Sequence, residues 1–136
     1  MKRIQLALSR IKIDENRNEQ VIVLREQEGS RMLPVVIGIS EVNAIKLKLS
    51  GVEPPRPLTH DLLLKTIEGL GGKLKEVVID QLENNTFFAK LIISHNGKGE
   101  IQIDARPSDS IAVALRADAP IFISEEILDQ AGLSEG

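Results

Sequence analysis

The stretch from Ile101 to Ser124 reads strand, turn, helix, strand, and it limits the possible folds more than any other part of the chain. Ile101 and Ile103 alternate with Gln102 and Asp104, the period-two pattern of a half-buried strand. Pro107 then stops the ladder, because proline has no N–H and its φ is fixed. Ser108 has the side chain of an N-cap, and Asp109 brings negative charge to the positive end of a helix. An alanine-rich helix with Ile111, Ala112 and Leu115 on one face follows, then an apolar strand from Pro120 to Ile123. Ser124, Glu125 and Glu126 open a last short helix. One turn at a helix start therefore gathers Asp104, Arg106, Ser108, Asp109 and Ser110, a grouping that either caps a helix or holds a ligand.

With 136 residues the chain reads as a single domain, 1–136, long enough for a sizeable core. It has no cysteine, which excludes disulfides and thiolate metal sites and fits a reducing compartment. No apolar run approaches the roughly 20 residues of a membrane helix, and the N-terminus does not have the pattern of a signal peptide, so the expected location is cytoplasmic with no membrane partner. Residues 1–75 carry 13 Lys/Arg against 9 Asp/Glu, residues 76–136 carry 4 against 11, and the net charge is −3. That balance argues against a generic nucleic-acid binder with a strong basic footprint. Three phenylalanines, with no tryptophan or tyrosine, argue against a base-stacking platform.

Ahead of the central stretch, residues 2–13 alternate as a strand, with a slip between Leu8 and Ile11 that signals a bulge. Asp14 to Gln20 is a polar loop, Val21 to Arg25 a strand, Glu28-Gly29-Ser30 a turn, and Met32 to Ile37 a third strand. Pro34 places that strand at an edge, an end or a bulge. Ser40 is the expected cap of a helix from Glu41 to about Leu49 that buries Val42, Ile45 and Leu49, closed by Gly51. Val52 to Leu58, with three prolines, is a stiff connector. Thr59 is the expected cap of a second helix with Leu63, Ile67 and Leu70 buried, widened by Leu62 and Leu64. Gly71-Gly72 ends it, and strands over 73–82 and 86–94 follow, joined by the turn Glu83-Asn84-Asn85. Asn96-Gly97 is a hairpin signal, since both residues tolerate positive φ. The pattern is α+β: a mostly antiparallel sheet with three to four helices packed on it.

Two helix starts are alike. Arg56-Pro57-Leu58-Thr59-His60-Asp61 and Arg106-Pro107-Ser108-Asp109 each supply arginine, proline, a hydroxyl and an acid. If they meet in space, Asp61, Asp104 and Asp109 become candidate oxygen ligands for Mg²⁺ or Mn²⁺. His60 becomes a candidate proton carrier, and Arg56 and Arg106 candidate phosphate contacts. The structural alternatives are simpler. Thr59 and Ser108 act as caps, and Asp61 and Asp109 are acids favoured by the helix dipole. On the same view Arg106 is the ion-pair partner of Asp61 or Glu41, and His60 is an isolated exposed histidine. Glu41 is a weaker candidate for chemistry, and His95 is incidental to it.

The strings Arg56-Pro57-Leu58-Thr59-His60-Asp61-Leu62, Asn85-Thr86-Phe87-Phe88-Ala89, Ile103-Asp104-Ala105-Arg106-Pro107-Ser108-Asp109-Ser110-Ile111 and Ala119-Pro120-Ile121-Phe122 resemble, in that order, those of the bifunctional nuclease (BFN) domain family. The resemblance is close from about Leu33 to Ile127. It implies a compact α+β domain often found as a homo-oligomer, and DNase and RNase activity of the kind reported for plant members; the apolar helix and strand surfaces fit a homodimer or trimer. Two positions depart from the family pattern: Phe88 stands where tyrosine is common, and Ser110 where alanine is common. The expected function is therefore hydrolysis of phosphodiester bonds in DNA or RNA, assisted by a divalent metal, with His60, Asp61, Asp104 and Asp109 catalytic. The rival is a binding or scaffold module in which the Arg–Asp–His group is a salt-bridge network.

Overall fold

In a computed structural model, residues 2–14 and 19–134 are described. Two three-stranded meanders lie side by side, zipped together by one short strand. The first meander is β1 (Arg3–Asp14), β2 (Glu19–Glu26) and β3 (Arg31–Ile37). Helices α1 (Ile39–Ser50) and α2 (Thr59–Gly69) follow. The second meander is β4 (Gly72–Glu83), β5 (Thr86–His95) and β6 (Glu100–Ala105). Then come α3 (Pro107–Ala117), β7 (Ile121–Ser124), α4 (Glu125–Ala131) and the two-residue β8 (Leu133–Ser134). The sheet order is β6-β5-β4-β7-β1-β2-β3-β8, and every neighbouring pair is antiparallel except β4–β7. The α+β architecture expected from the sequence is the one observed.

This order explains the position of α3. Strands β6 and β7 run the same way but are separated by β5 and β4. The connection between them must therefore cross the sheet, and α3 packs on β4 and β5 as it does so. Helices α1 and α2 flank it. As a result Ile111, Ala112, Val113 and Ala114 are all buried; small alanines let the helix lie close to its neighbours on several sides. The core beneath α3 is built from Val77, Ile79, Ala89, Leu91, Ile121 and Ile123.

Several local signals appear where the sequence puts them. The bulge in β1 lies between Leu8 and Arg10. Asn84 and Asn85 both have positive φ in the β4–β5 turn, as does Asn96 before Gly97 in the next. Gly51 ends α1 in the left-handed conformation, with φ 74 and its N–H on the Lys48 carbonyl. Pro34 lies on a stretch of β3 that β8, which pairs only with Arg31 and Met32, leaves open. Of the loop expected over 14–20, residues 15–18 lie outside the described residues.

Three expectations are corrected. The helix caps fall one or two residues earlier than the hydroxyl side chains imply: Gly38, Leu58 and Arg106 occupy the N-cap positions, not Ser40, Thr59 and Ser108. The proline at the first position of α3 already suits a helix start without a side-chain cap, which frees the Ser108 hydroxyl for another partner. The apolar face of α2 is largely open: Leu62 is 59% and Leu70 73% exposed, and Leu49 of α1 is 59% exposed. Only Leu64 and Ile67 of α2 pack on the core from partly buried positions. Finally, His60 is the buried residue of α2, not an exposed one.

Candidate functional site

Three helix N-termini converge beside β3 and β6. Glu41 lies in the first turn of α1, His60 in that of α2, and Arg106, Ser108 and Asp109 at the start of α3. The two similar helix starts seen in the sequence thus meet. His60 Nε2 donates to Asp109 Oδ1 at 3.0 Å. Arg106 Nε donates to Asp109 Oδ2 at 3.0 Å, and its Nη2 donates to Glu41 Oε1 at 2.9 Å. The Ser108 hydroxyl lies 3.4 Å from Glu41 Oε1 and donates to it. One polar chain, His60–Asp109–Arg106–Glu41–Ser108, therefore ties the three helices together.

Exposure grades along this chain. The side chains of Glu41 and His60 are 6% and 8% exposed, Asp109 31%, and Arg106 71%. Burial alone would raise the Asp109 carboxyl pKa, but hydrogen bonds from His60 and Arg106, with the arginine charge, outweigh it and hold Asp109 below the ordinary carboxylate value. Its ionised oxygens accept the hydrogen on His60 Nε2, which leaves Nδ1 as the ring nitrogen not engaged by Asp109. Asp109 in turn keeps Arg106 firmly protonated.

The second helix contact is different. Asp61 pairs with Arg116, two helical turns beyond Asp109 on α3, and Asp61 Oδ2 accepts the Leu58 N–H at 3.0 Å. Both side chains are mostly buried, at 17% and 9% exposed. Burial raises the Asp61 carboxyl, and Arg116 and the Leu58 N–H more than reverse this, leaving it below its ordinary value. Asp61 therefore caps α2 and anchors it to α3.

Of the candidates read from the sequence, His60, Asp109 and Arg106 are in direct contact, Asp61 lies one residue away in a separate pair, and two stand apart. Asp104 is exposed on β6 opposite Lys90 of β5. Arg56 is exposed in the connector, where it lines a cleft shared with Asp61 and Arg116. Among the described residues no three His, Asp or Glu side chains are grouped to hold a metal ion, and the oxygens of Asp61 and Asp109 are already engaged, by Arg116 and the Leu58 N–H and by Arg106 and His60 respectively. The three aspartates thus do not form a preassembled cage for Mg²⁺ or Mn²⁺. Arg106 has Glu41 as its ion-pair partner, one of the two acids the sequence proposed, while Asp61 goes to Arg116.

Arg116 was not legible as a site residue from composition or motif. Its signal is spacing: positions 109 and 116 are seven apart and share a helix face, as residues 60 and 61 share a first turn. Ser110, where the family pattern has alanine, is fully buried and its hydroxyl donates to the Arg106 carbonyl at 2.9 Å. The extra hydroxyl is thereby satisfied within the helix. His95 also has a partner, its Nε2 donating to the Leu70 carbonyl at 3.3 Å and fastening the end of α2 to β5.

No helix among the described residues is long and apolar enough to cross a membrane. A family model described as the bifunctional nuclease domain matches residues 22–136. An uncharacterized protein of Mycobacterium tuberculosis is 51% identical over 123 residues, which cover 90% of this chain and 73% of that one. Bifunctional nuclease 1 of Oryza sativa subsp. indica is 25% identical over 126 residues, covering 90% of this chain and 38% of the rice protein. Bifunctional nuclease 1 of Arabidopsis thaliana is 24% identical over 115 residues, covering 82% of this chain and 35% of its own length. The order of the motifs, the α+β fold that joins them and the family match over most of the sequence agree: this chain belongs to the bifunctional nuclease domain family.

Proposed function

We propose that the chain is a nuclease that hydrolyses phosphodiester bonds of single-stranded DNA or RNA at the joined starts of α2 and α3. The observation that carries this reading is the hydrogen-bonded sequence His60–Asp109–Arg106, which runs from a buried imidazole to an exposed guanidinium. Family membership and the naming of the plant relatives as bifunctional nucleases support the reaction class.

In this reading Arg106 contacts the phosphate and stabilises the charge that grows on its oxygens in the transition state, while Arg56 lines the separate cleft beside Asp61 and Arg116. Water attacks phosphorus, and the bond to the leaving oxygen breaks. The proton of the water passes to His60 Nδ1, and the imidazolium is stabilised by Asp109 as in other histidine–carboxylate pairs. The same proton then returns to the leaving oxygen. Asp61 holds α2 in place, and Asp104 is a surface acid on β6 with no part in this step. Since the three aspartates are not grouped as a cage, no step here passes through a metal ion; adding Mg²⁺, Mn²⁺ or chelator to the assay reads that dependence directly. Self-association belongs to the same proposal, and the mass in solution by light scattering separates monomer, dimer and trimer.

The test is cleavage of single-stranded DNA and RNA by the purified chain and by Asp109→Asn and His60→Gln. Each substitution should lower the rate by about 10²–10³-fold, the loss typical of removing one preorganised group. An inert wild type, or undiminished cleavage by both variants, would overturn the proposal. The scaffold reading also has an observation behind it, the near-complete burial of Glu41 and Arg116 within ion pairs. It predicts a large fall in melting temperature for Arg106→Ala, together with no cleavage by the wild type.

A further inference from the structure

On the face of α2 that carries Asp61, about a quarter turn from His60, a cleft of about 490 Å³ opens between the end of α1, the proline connector and α2. This is within the size range of small-ligand pockets. Arg116 lines it and is 9% exposed. Its guanidinium meets Asp61 through Nε. No other carboxylate, carbonyl or hydroxyl among the described residues pairs with it, so its two terminal nitrogens lack protein acceptors. Among the polar atoms of Arg116 only Nε is sealed from water, so the terminal nitrogens that lack protein acceptors stay accessible from the cleft and are free to meet an anion there. Here the unused donors belong to a side chain that lines an open cleft.

The rest of the lining fits an anion carrying an apolar ring. Arg56, Lys48 and Lys65 add positive charge, against Glu53 and Glu68. Pro54, Pro55 and Val52 form a rigid apolar wall with little conformational entropy to lose on binding. We propose that this cleft seats a nucleoside phosphate, with the phosphate on the terminal nitrogens of Arg116 and on Arg56, and the base or ribose against the prolines. The ligand is either a free nucleotide or the phosphorylated end of a strand, which share this chemistry. The proposal deepens the nuclease reading, and rests on it only for the strand-borne form: a strand end held here lies beside Asp61, the residue next to His60.

The experiment uses the full chain. Calorimetry with adenosine, cytidine and uridine 5′-monophosphates reads the free ligand, and fluorescence anisotropy with a 5′-phosphorylated single-stranded oligonucleotide reads the strand end. Arg116→Lys keeps a charge beside Asp61 but loses the planar fork, and should weaken binding by about tenfold or more. Lys48→Glu and Lys65→Glu, at the rim, should weaken it as well, while Lys12→Glu on β1 should not. Thermal melts verify that each variant is folded; if Arg116→Lys is not, the two rim variants carry the test. Absence of binding by the wild type at millimolar nucleotide and micromolar strand, or binding unchanged in the folded variants, would overturn the proposal. The two readings fail separately. Cleavage whose KM is indifferent to the rim variants removes the cleft and spares the chemistry. Nucleotide binding lost in those variants, beside a wild type that cuts nothing, does the reverse.

Discussion

Two acid–base contacts join α2 to α3, and they differ in what surrounds them. Asp61–Arg116 is closed: both side chains are mostly buried, and Asp61 also caps α2 through the Leu58 N–H. His60–Asp109–Arg106 is graded: it starts at a buried ring and ends at a guanidinium that is 71% exposed. Adjacent residues of one helix, His60 and Asp61, thus enter different environments because successive positions in a helix point about 100° apart. The comparison shows how one helix seam can hold a domain together at one contact and present reactive groups at the other. An acid in the first turn of a helix is compatible with either role, and its exposure and partner separate them.

The largest expected effect breaks the closed contact. Arg116→Met leaves Asp61 without its charged partner and should destabilise the fold by about 3–5 kcal/mol, read from urea midpoints. Asp109→Ala should cost less, about 1–2 kcal/mol, because its site is partly solvated and Arg106 can turn to water. A loss as large as that of Arg116→Met would make the two contacts equivalent and favour the scaffold reading.

The pH dependence sharpens the same comparison. Both carboxylates have folded-state values below the ordinary range, so their contribution is present above the unfolded value, about 3.9, and is lost as pH falls through the lower folded values. Wild-type stability should therefore decline below about pH 4. Asp61→Asn, which lacks one of these groups, should decline less steeply in urea titrations at a series of pH values. A matching slope in the variant would show that Asp61 gains nothing from Arg116. The smallest effect is expected far from both contacts: Leu49→Gln on the exposed side of α1 should change stability by no more than about 0.5 kcal/mol.

Much of the fold could be read from the sequence, where a single physical signal decided each element. Positive-φ asparagines marked both turns of the second meander, alternation marked its strands, and the slip in β1 marked its bulge. What could not be read depended on tertiary order. The leucines of α2 follow helical spacing, yet α3 takes the central position on the sheet and leaves Leu62, Leu63 and Leu70 uncovered. Ile101 and Ile103 alternate correctly but belong to the outermost strand, where the helix layer gives them only partial cover. In the site, the likeness of the two helix starts was legible from their chemistry, but not whether they meet, and Glu41 was one of two alternative partners for Arg106. The division of labour between Asp61 and Asp109 was not, because it depends on Arg116, whose only mark in the sequence is a seven-residue spacing from Asp109.

The central claim is that the graded contact carries the chemistry while the closed one carries the fold. The most direct test is single-turnover cleavage of a single-stranded oligonucleotide by wild type, Asp109→Asn and Asp61→Asn, with each rate corrected for the folded fraction. The account predicts that Asp109→Asn loses about 10²–10³-fold in rate with little loss of stability. Asp61→Asn should lose stability while its folded fraction cuts at close to the wild-type rate. Equal corrected rates for all three proteins, or a wild type without cleavage, would contradict it.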